Sequence, residues 1–453
     1  MEDRRVIIVG AGIGGLAAGY WLSQRGYDVK ILEALDRPGG RIASIEHKGD
    51  KVDVGAQFFH SNYRYAFDLI DAMGLRSRLV EIKGKVRFNF SDGATGTFVP
   101  HSFFVQGLGL VKNLKLHQFM LKHIILAHRP KMYRIGEVDP ELDAREALEA
   151  FEAQHDLRLR DIVSSITLAS NMSEPEWTSL QHFITLLRID MFTHYHSMVG
   201  GVSTLAEELA KRLSVRYEEP VRQLVMEKGR VVGVQLEKDG SVEGAGHVIV
   251  AAAARSVGRL LPDELAPQRE FFNSVVQAPL PLPVFFLDRP VSHDVWSYFN
   301  QPGLKRTFGY VEDHLVKCPA MVPSGRGVLS AWSCYPHTLD LVDKPDKEII
   351  KQALSDTEEI IPGISNWVDE ARVFWHKEAG MGHYPPGSYQ KVLDFKQKVG
   401  DLKGVSFVSD IFGGCFMEAS MATAADAVRR VCGWGGTASR SPANGTDPLG
   451  LGK

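Results

Sequence analysis

The chain has 453 residues, 44% hydrophobic and 24% charged, with 52 Lys and Arg against 55 Asp and Glu. At roughly 100 to 200 residues per domain that is two to four domains' worth of ordinary globular polypeptide, which excludes bulk disorder. A formal charge of −3 leaves no global basis for binding nucleic acid, whose affinity rests on phosphate neutralisation. Cys318, Cys334, Cys415 and Cys432 form no CxxC pair and no Cys/His run with zinc spacing. No metal is therefore expected, and with a start lacking a cleavable signal the cysteine usage points to a cytoplasmic setting.

Val6 to Val9 is a short apolar, β-branched run of the kind buried on both faces of a parallel sheet. Gly10, Gly12 and Gly15 then give GxGxxG, and helical spacing continues to Gly26, the expected cap. Val29 to Leu32 reads as a second strand and ends at Glu33. This βαβ unit, with an acid about 20 positions beyond the turn, is the arrangement that holds a dinucleotide. Gly10 permits the turn, Gly12 lets backbone approach the pyrophosphate, and Gly15 lets helix and strand pack closely. Ile13 and Gly14 complete the N–H-bearing helix start, and Glu33 can accept from ribose hydroxyls. The unit alone leaves NAD and FAD open.

Further along, Lys85 to Phe98 reads as a strand pair, and the segment to residue 198 as helix-rich. Val111 to Arg134 carries Lys112, Lys115, Lys122, Arg129, Lys131 and Arg134 without an acid, interleaved with leucines and isoleucines. Such a stretch suits an anionic membrane surface, an internal helix with snorkelling cations, or recognition of an acidic substrate. Arg216 to His247 alternates as an antiparallel ribbon, Val248 to Val250 returns as a buried strand, and Pro283 to Pro290 holds another strand. Residues 433–453, rich in Gly, Ser, Pro and Thr, read as a disordered tail.

The run from Leu32 through Glu33, Ala34, Arg37, Gly39 and Gly40 to Arg41 resembles the E-A-x-x-R-x-G-G-R signature of the flavin amine oxidase, protoporphyrinogen oxidase and phytoene desaturase superfamily. That resemblance implies FAD. Asp53-Val54-Gly55-Ala56-Gln57, followed by Phe58, is similar to the segment that passes beside the flavin ring. Val199 to Leu205 looks like the family's G-G-x-x-x-L helix start, and Val221 falls where a strand residue meets the adenine. Asp410 stands where an acid binds ribityl hydroxyls, and Met417-Glu418-Ala419-Ser420-Met421 is similar to the helix start facing the flavin's pyrimidine end. Ala419-Ser420 departs from the usual Gly-Ala, and Ser409 from a Gly.

Because the motifs lie at both ends and in the middle, the fold expected is an α/β Rossmann-like FAD domain interleaved with an α+β substrate domain. The FAD domain is expected over 1–85, 199–255 and 371–432, and the substrate domain over 86–198 and 256–370. Ala278 to Val284 carries no Lys where amine oxidases of the family place one, and Gly107-Leu108-Gly109 makes no second nucleotide unit. Counting back from Pro385-Pro386-Gly387 puts Ala379 and Gly380 where covalent-flavin relatives have a Cys and an aromatic, so FAD is expected to be non-covalent, with Phe416 a single cage-like ring. His194, His196 and His60 are the candidate proton acceptors. The reading is an FAD-dependent oxidoreductase taking hydride from a hydrophobic or cyclic small molecule. An amine or amino-acid oxidase, a prenyl-lipid-binding protein and a redox-neutral isomerase stay open.

Overall fold

The computed structural model describes residues 4–99, 104–125, 132–190, 193–300, 305–377 and 380–433. From the N-terminus come strand β1 (Arg5–Val9), helix α1 (Ile13–Ser23), strand β2 (Asp28–Leu32) and helix α2 (Arg64–Ala72). The pair β3 (Lys85–Asn89) and β4 (Thr95–Phe98) leads into helices α3 (Leu110–Met120), α4 (Leu157–Asn171) and α5 (Leu180–Asp190), then strand β5 (Tyr195–Met198) and helix α6 (Ser203–Ala210). A run of strands follows: β6 (Ser214–Arg216), β7 (Val221–Glu227), β8 (Arg230–Leu236), β9 (Val242–Gly244) and β10 (His247–Val250). The remainder supplies β11 (Leu280–Leu287), β12 (Val295–Asn300), β13 (Phe308–Asp313), β14 (Val328–Ser333), α7 (Asp346–Ile360), β15 (Val368–His376), β16 (Val405–Phe407) and α8 (Met417–Val431).

Two sheets organise these elements. The first is parallel, in the order β6-β2-β1-β10-β16, so strands from the two ends and the middle of the chain lie side by side. Its apolar runs are explained by burial on both faces: Ile8 and Ile31 pack with α1 and α8, while Ile7 and Val9 face the opposite core. The second sheet runs β15-β11-β14-β13-β12-β3-β4. In β11, Val284 and Phe286 join one core while Phe285 and Leu287 join the core under α7, the two-residue alternation of a strand covered on both sides. β7, β8 and β9 form the separate antiparallel ribbon.

Two expectations need correction. The boundary at 371 cuts through β15, which pairs along its length with β11, so the chain leaves the second sheet only after His376. The first helix ends at Ser23 rather than Gly26, which instead makes the positive-φ turn into β2. Residues 434–453 of the expected tail, and Arg129 and Lys131 of the basic stretch, lie outside the described residues.

Candidate functional site

The glycine-rich turn is built as a close approach of backbone to backbone. Gly10 has φ +104°, and a Cβ there would lie 2.7 Å from the carbonyl of Ala251. A Cβ on Gly15 would fall 2.1 Å from the Gly10 carbonyl. Gly12 caps α1 in an extended conformation without any side-chain hydrogen bond. The first N–H groups of that helix, at Ile13, Gly14 and Gly15, therefore remain available for an anion. Glu33 is buried at the end of β2, where its carboxylate accepts from the Ala11 N–H (2.6 Å) and the Leu35 N–H (2.9 Å). A carboxylate has about four acceptor positions, so two remain for ribose hydroxyls. The loop through Ala34 and Gly40 is pinned back on the turn by the Gly39 N–H, which donates to Ala11 at 2.9 Å.

Arg41 joins the two ends of the chain. Its guanidinium meets Asp410 in a bidentate pair at 2.7 and 2.8 Å and also donates to the Gly380 carbonyl. The guanidinium keeps donors in reserve, since these contacts use three of its five N–H groups. Gly55 packs against the same residue, with an added Cβ only 2.0 Å from the Arg41 carbonyl. These features fit a dinucleotide: a cradle closed to Cβ atoms, an uncapped helix start, a ribose acceptor and a guanidinium–carboxylate pair beside them.

Several other expected cofactor residues have side-chain partners within the protein. Glu418 sends its carboxylate to helix α2, accepting the N–H groups of Arg64, Tyr65 and Ala66 at 2.7, 2.7 and 3.0 Å. Burial pushes this carboxyl up to about 7 against those hydrogen bonds. What position 418 can offer a cofactor is thus its backbone N–H at the start of α8, which like α1 has no side-chain cap. Ala419 and Met421 are fully buried in the core shared with α1, and Met417 packs at its edge. Gln57 turns back on its own loop, donating to the carbonyls of Asp53 and Gly55. Ala56 packs against the core beside it, and Val221 is buried as the first residue of β7.

Phe58 opens an aromatic cluster. Its ring meets His60, Tyr195 and Trp296 at centroid separations of 5.3, 5.0 and 5.7 Å. His60 stacks on Tyr63 at 5.0 Å and meets Phe416 edge-on at 5.3 Å. Strand β5 lies between Phe59–His60 and Leu79–Glu81, with Tyr195 opposite His60. Alternation along β5 sends its neighbours to the other face. His194 is half exposed and pairs with Glu81 at 2.6 Å, and His196 contacts Phe67. Of the three candidate histidines, His60 alone enters the cluster.

Sequence reasoning missed a buried polar hub. Lys317 is inaccessible, and its Nζ lies 2.9 Å from Asp53 Oδ2 and 2.5 Å from Gln57 Oε1. Asp53 Oδ1 accepts in addition from Ser44 Oγ and the Val202 N–H at the entry to α6. Glu312, bonded to Tyr310 and Trp332, is pushed up by burial while the nearby Lys317 pulls it down. The one available signal was an Asp inside the apolar run around Val52 and Val54, which must find a donor if buried.

The model of a family described as flavin containing amine oxidoreductase matches residues 13–432. The chain is 24% identical over 434 residues to a neurosporene-forming phytoene desaturase of Cereibacter sphaeroides, covering 82% of this chain and 81% of that one. It is also 24% identical to a probable flavin-containing monoamine oxidase A of Dictyostelium discoideum, over 58% of this chain and 60% of the relative. Among solved structures, cyclohexylamine oxidase from Brevibacterium oxydans superposes with a TM-score of 0.75 at 15% identity, covering 95% of this chain and 99% of that one. At that identity the likeness establishes the fold.

Proposed function

Because the chain belongs to the flavin-containing amine oxidoreductase family and is an FAD-dependent oxidoreductase, we propose that it removes hydride from a C–H bond of a hydrophobic or cyclic small molecule, with oxygen or a quinone as final acceptor. Bound FAD supplies the two-electron acceptor. The observation that carries the substrate class is the aromatic wall of Phe58, Tyr63, Tyr195, Trp296 and Phe416 around His60. Strand β11, which shares a core with Phe58, Tyr195 and Trp296, is buried along all eight residues and bears no charge. Such a wall excludes water and binds apolar surface.

In this reading Gly10 to Gly15 and Arg41 hold the pyrophosphate, Glu33 the ribose, Asp410 the ribityl chain, and the start of α8 the flavin's pyrimidine end. The cofactor domain is formed by the parallel sheet with the 1–85, 199–255 and later C-terminal segments. FAD is held without a covalent bond: Gly380 has no side chain to attach, Cys415 is a buried thiol directed at the Ser170 carbonyl, and Ala379 lies outside the described residues. A second reading, amine or amino-acid oxidation, is favoured by Asp190, whose carboxylate reaches the edge of the cluster through Tyr195. A carboxylate among aromatic rings suits an ammonium group. Amine-dependent peroxide release by the purified protein would select it.

We also read α3 as a membrane-facing element. Eight of the fourteen exposed large hydrophobic residues among those described fall between Val99 and Met132, and Leu110, Val111, Leu114, Leu121 and Ile125 continue one outward stripe. Lys112 and Lys115 beside it pair with Asp156 and Glu152, so the apolar stripe rather than net charge supports the reading. No helix among the described residues is long and apolar enough to cross a membrane.

The test is visible absorption before and after acid precipitation. Yellow protein with FAD released to the supernatant is expected, and Glu33→Ala should lower FAD occupancy. A protein that stays colourless after FAD addition refutes the reading, and colour kept in the pellet refutes non-covalent binding.

A further inference from the structure

His60 is 1% exposed, and its Nδ1 is buried without a hydrogen bond. The group facing that nitrogen is Asp190 Oδ1, 3.6 Å away at the last residue of α5. Asp190 is itself held in place: Oδ2 accepts from Ser170 Oγ at 3.0 Å and Oδ1 from the Tyr195 hydroxyl at 3.3 Å. Its side chain keeps a quarter of its accessibility, whereas the imidazole is enclosed by the rings of Phe58, Tyr63, Tyr195 and Phe416. A carboxylate opposite a buried ring nitrogen fixes the tautomer, because two lone pairs repel while N–H and carboxylate attract. The proton therefore sits on Nδ1, and Nε2 carries the free lone pair. A 3.6 Å separation is too long for a hydrogen bond and closes with a shift of well under 1 Å, as such pairs do on loading.

We propose that Asp190 and His60 are the proton-accepting pair of this site, with Asp190 the positioning residue and His60 Nε2 the base. The proposal rests on the oxidoreductase reading above. As the substrate C–H bond breaks, its electron pair leaves as hydride to the oxidised flavin, which is reduced. The proton on the neighbouring N, O or C atom passes to His60 Nε2, a double bond forms in the substrate, and Asp190 balances the imidazolium charge. The pair serves a desaturation and an amine oxidation equally, since both release one hydride and one proton.

The charged and titratable groups around the pair come from each adjoining element. They are Tyr195 from β5, Tyr63 and Tyr133, Glu418 from α8, and the Cys415 thiol, and both Glu418 and Asp190 act on Tyr63. Burial favours the uncharged form of each partner, holding His60 down to about 3 and pushing Asp190 up to about 6. At neutral pH the pair is thus a carboxylate facing a neutral imidazole, and the carboxylate offsets part of the cost of placing a proton's charge on the buried ring. Below pH 6 the carboxyl takes its own proton and the support is lost.

The experiment is NMR of 15N-histidine-labelled holoenzyme, with the His60 signals assigned by their loss in His60→Gln. The expected result is an Nδ1–H tautomer that changes through a transition near pH 6, lost in Asp190→Asn and regained in Asp190→Glu. An unchanged tautomer and titration in Asp190→Asn would overturn the pair. The flavin midpoint potential on the same samples gives a second readout, because negative charge gained on reduction raises the proton affinity of a nearby base. Its dependence on pH should break near 6 in the wild type and run straight in Asp190→Asn, whereas identical profiles would refute coupling to the flavin. FAD retained with either refuting result sinks the pair alone, and FAD that never binds sinks the oxidoreductase reading as well.

Discussion

Replacing Lys317 by Met tests the buried hub that fixes the segment beside the expected flavin position. Both Lys317 and its partner Asp53 have fully inaccessible side chains. The substitution preserves much of the aliphatic stem but removes the ammonium group from Asp53 Oδ2 and Gln57 Oε1. Asp53 keeps its hydrogen bonds from Ser44 and Val202, both on Oδ1, so Oδ2 is left charged and unpaired in an apolar interior. Stranding one partner of a buried ion pair costs about 3 to 5 kcal/mol. Because Asp53 also receives the N–H at the entry to α6, the loss is expected to loosen the 53–57 loop and lower FAD retention along with stability. Urea unfolding followed by tryptophan fluorescence measures the first, and flavin absorbance after gel filtration the second. The double variant Lys317→Met with Asp53→Asn should regain at least half of the lost stability, since the unpaired charge is gone. A cost below about 1 kcal/mol for Lys317→Met, in the range of an exposed pair, would refute the claim that this hub is desolvated.

Two further outcomes follow from other parts of the molecule. Burial raises Glu418 above the ordinary carboxylate range to about 7, so its contribution to stability is fully present below the ordinary value and is lost as pH rises through 7. At ~1.4 kcal/mol per pH unit the wild type should lose about 3 kcal/mol relative to Glu418→Gln between pH 4.5 and 8 in urea titrations, and parallel curves would show that the carboxyl titrates normally. For the stripe on α3 and the helical turn after it, flotation with anionic liposomes should fall about tenfold or more in a Leu114→Glu, Leu121→Glu variant. Equal flotation of both proteins, or none by either, would remove the membrane reading.

The linear sequence determined the parts whose physics is local. GxGxxG between an apolar strand and a helix can be read because the turn and the close packing of strand on helix are local to one βαβ unit, as at Gly15, where an added Cβ would lie 2.1 Å from the Gly10 carbonyl, although the contact that excludes a side chain at Gly10 comes from the distant Ala251. The ribbon of β7 and β8 is similarly legible from alternation and a turn at Lys228-Gly229, where both residues have positive φ. What only tertiary structure decided are pairings between distant segments. Arg41 meets Asp410 across 369 positions, Lys317 meets Asp53 across 264, and Glu418 caps a helix more than 350 positions away. The direction of the histidines was likewise hidden, because it depends on which residue of β5 lies opposite His60. A two-residue repeat says that His194 and His196 share a face, but only the register with Phe59–His60 says that Tyr195 has the face toward the cluster. Sequence thus named the residue types that can hold a dinucleotide, while the packing of the chain's two ends decided which carboxylates are free for a ligand and which are spent on the fold.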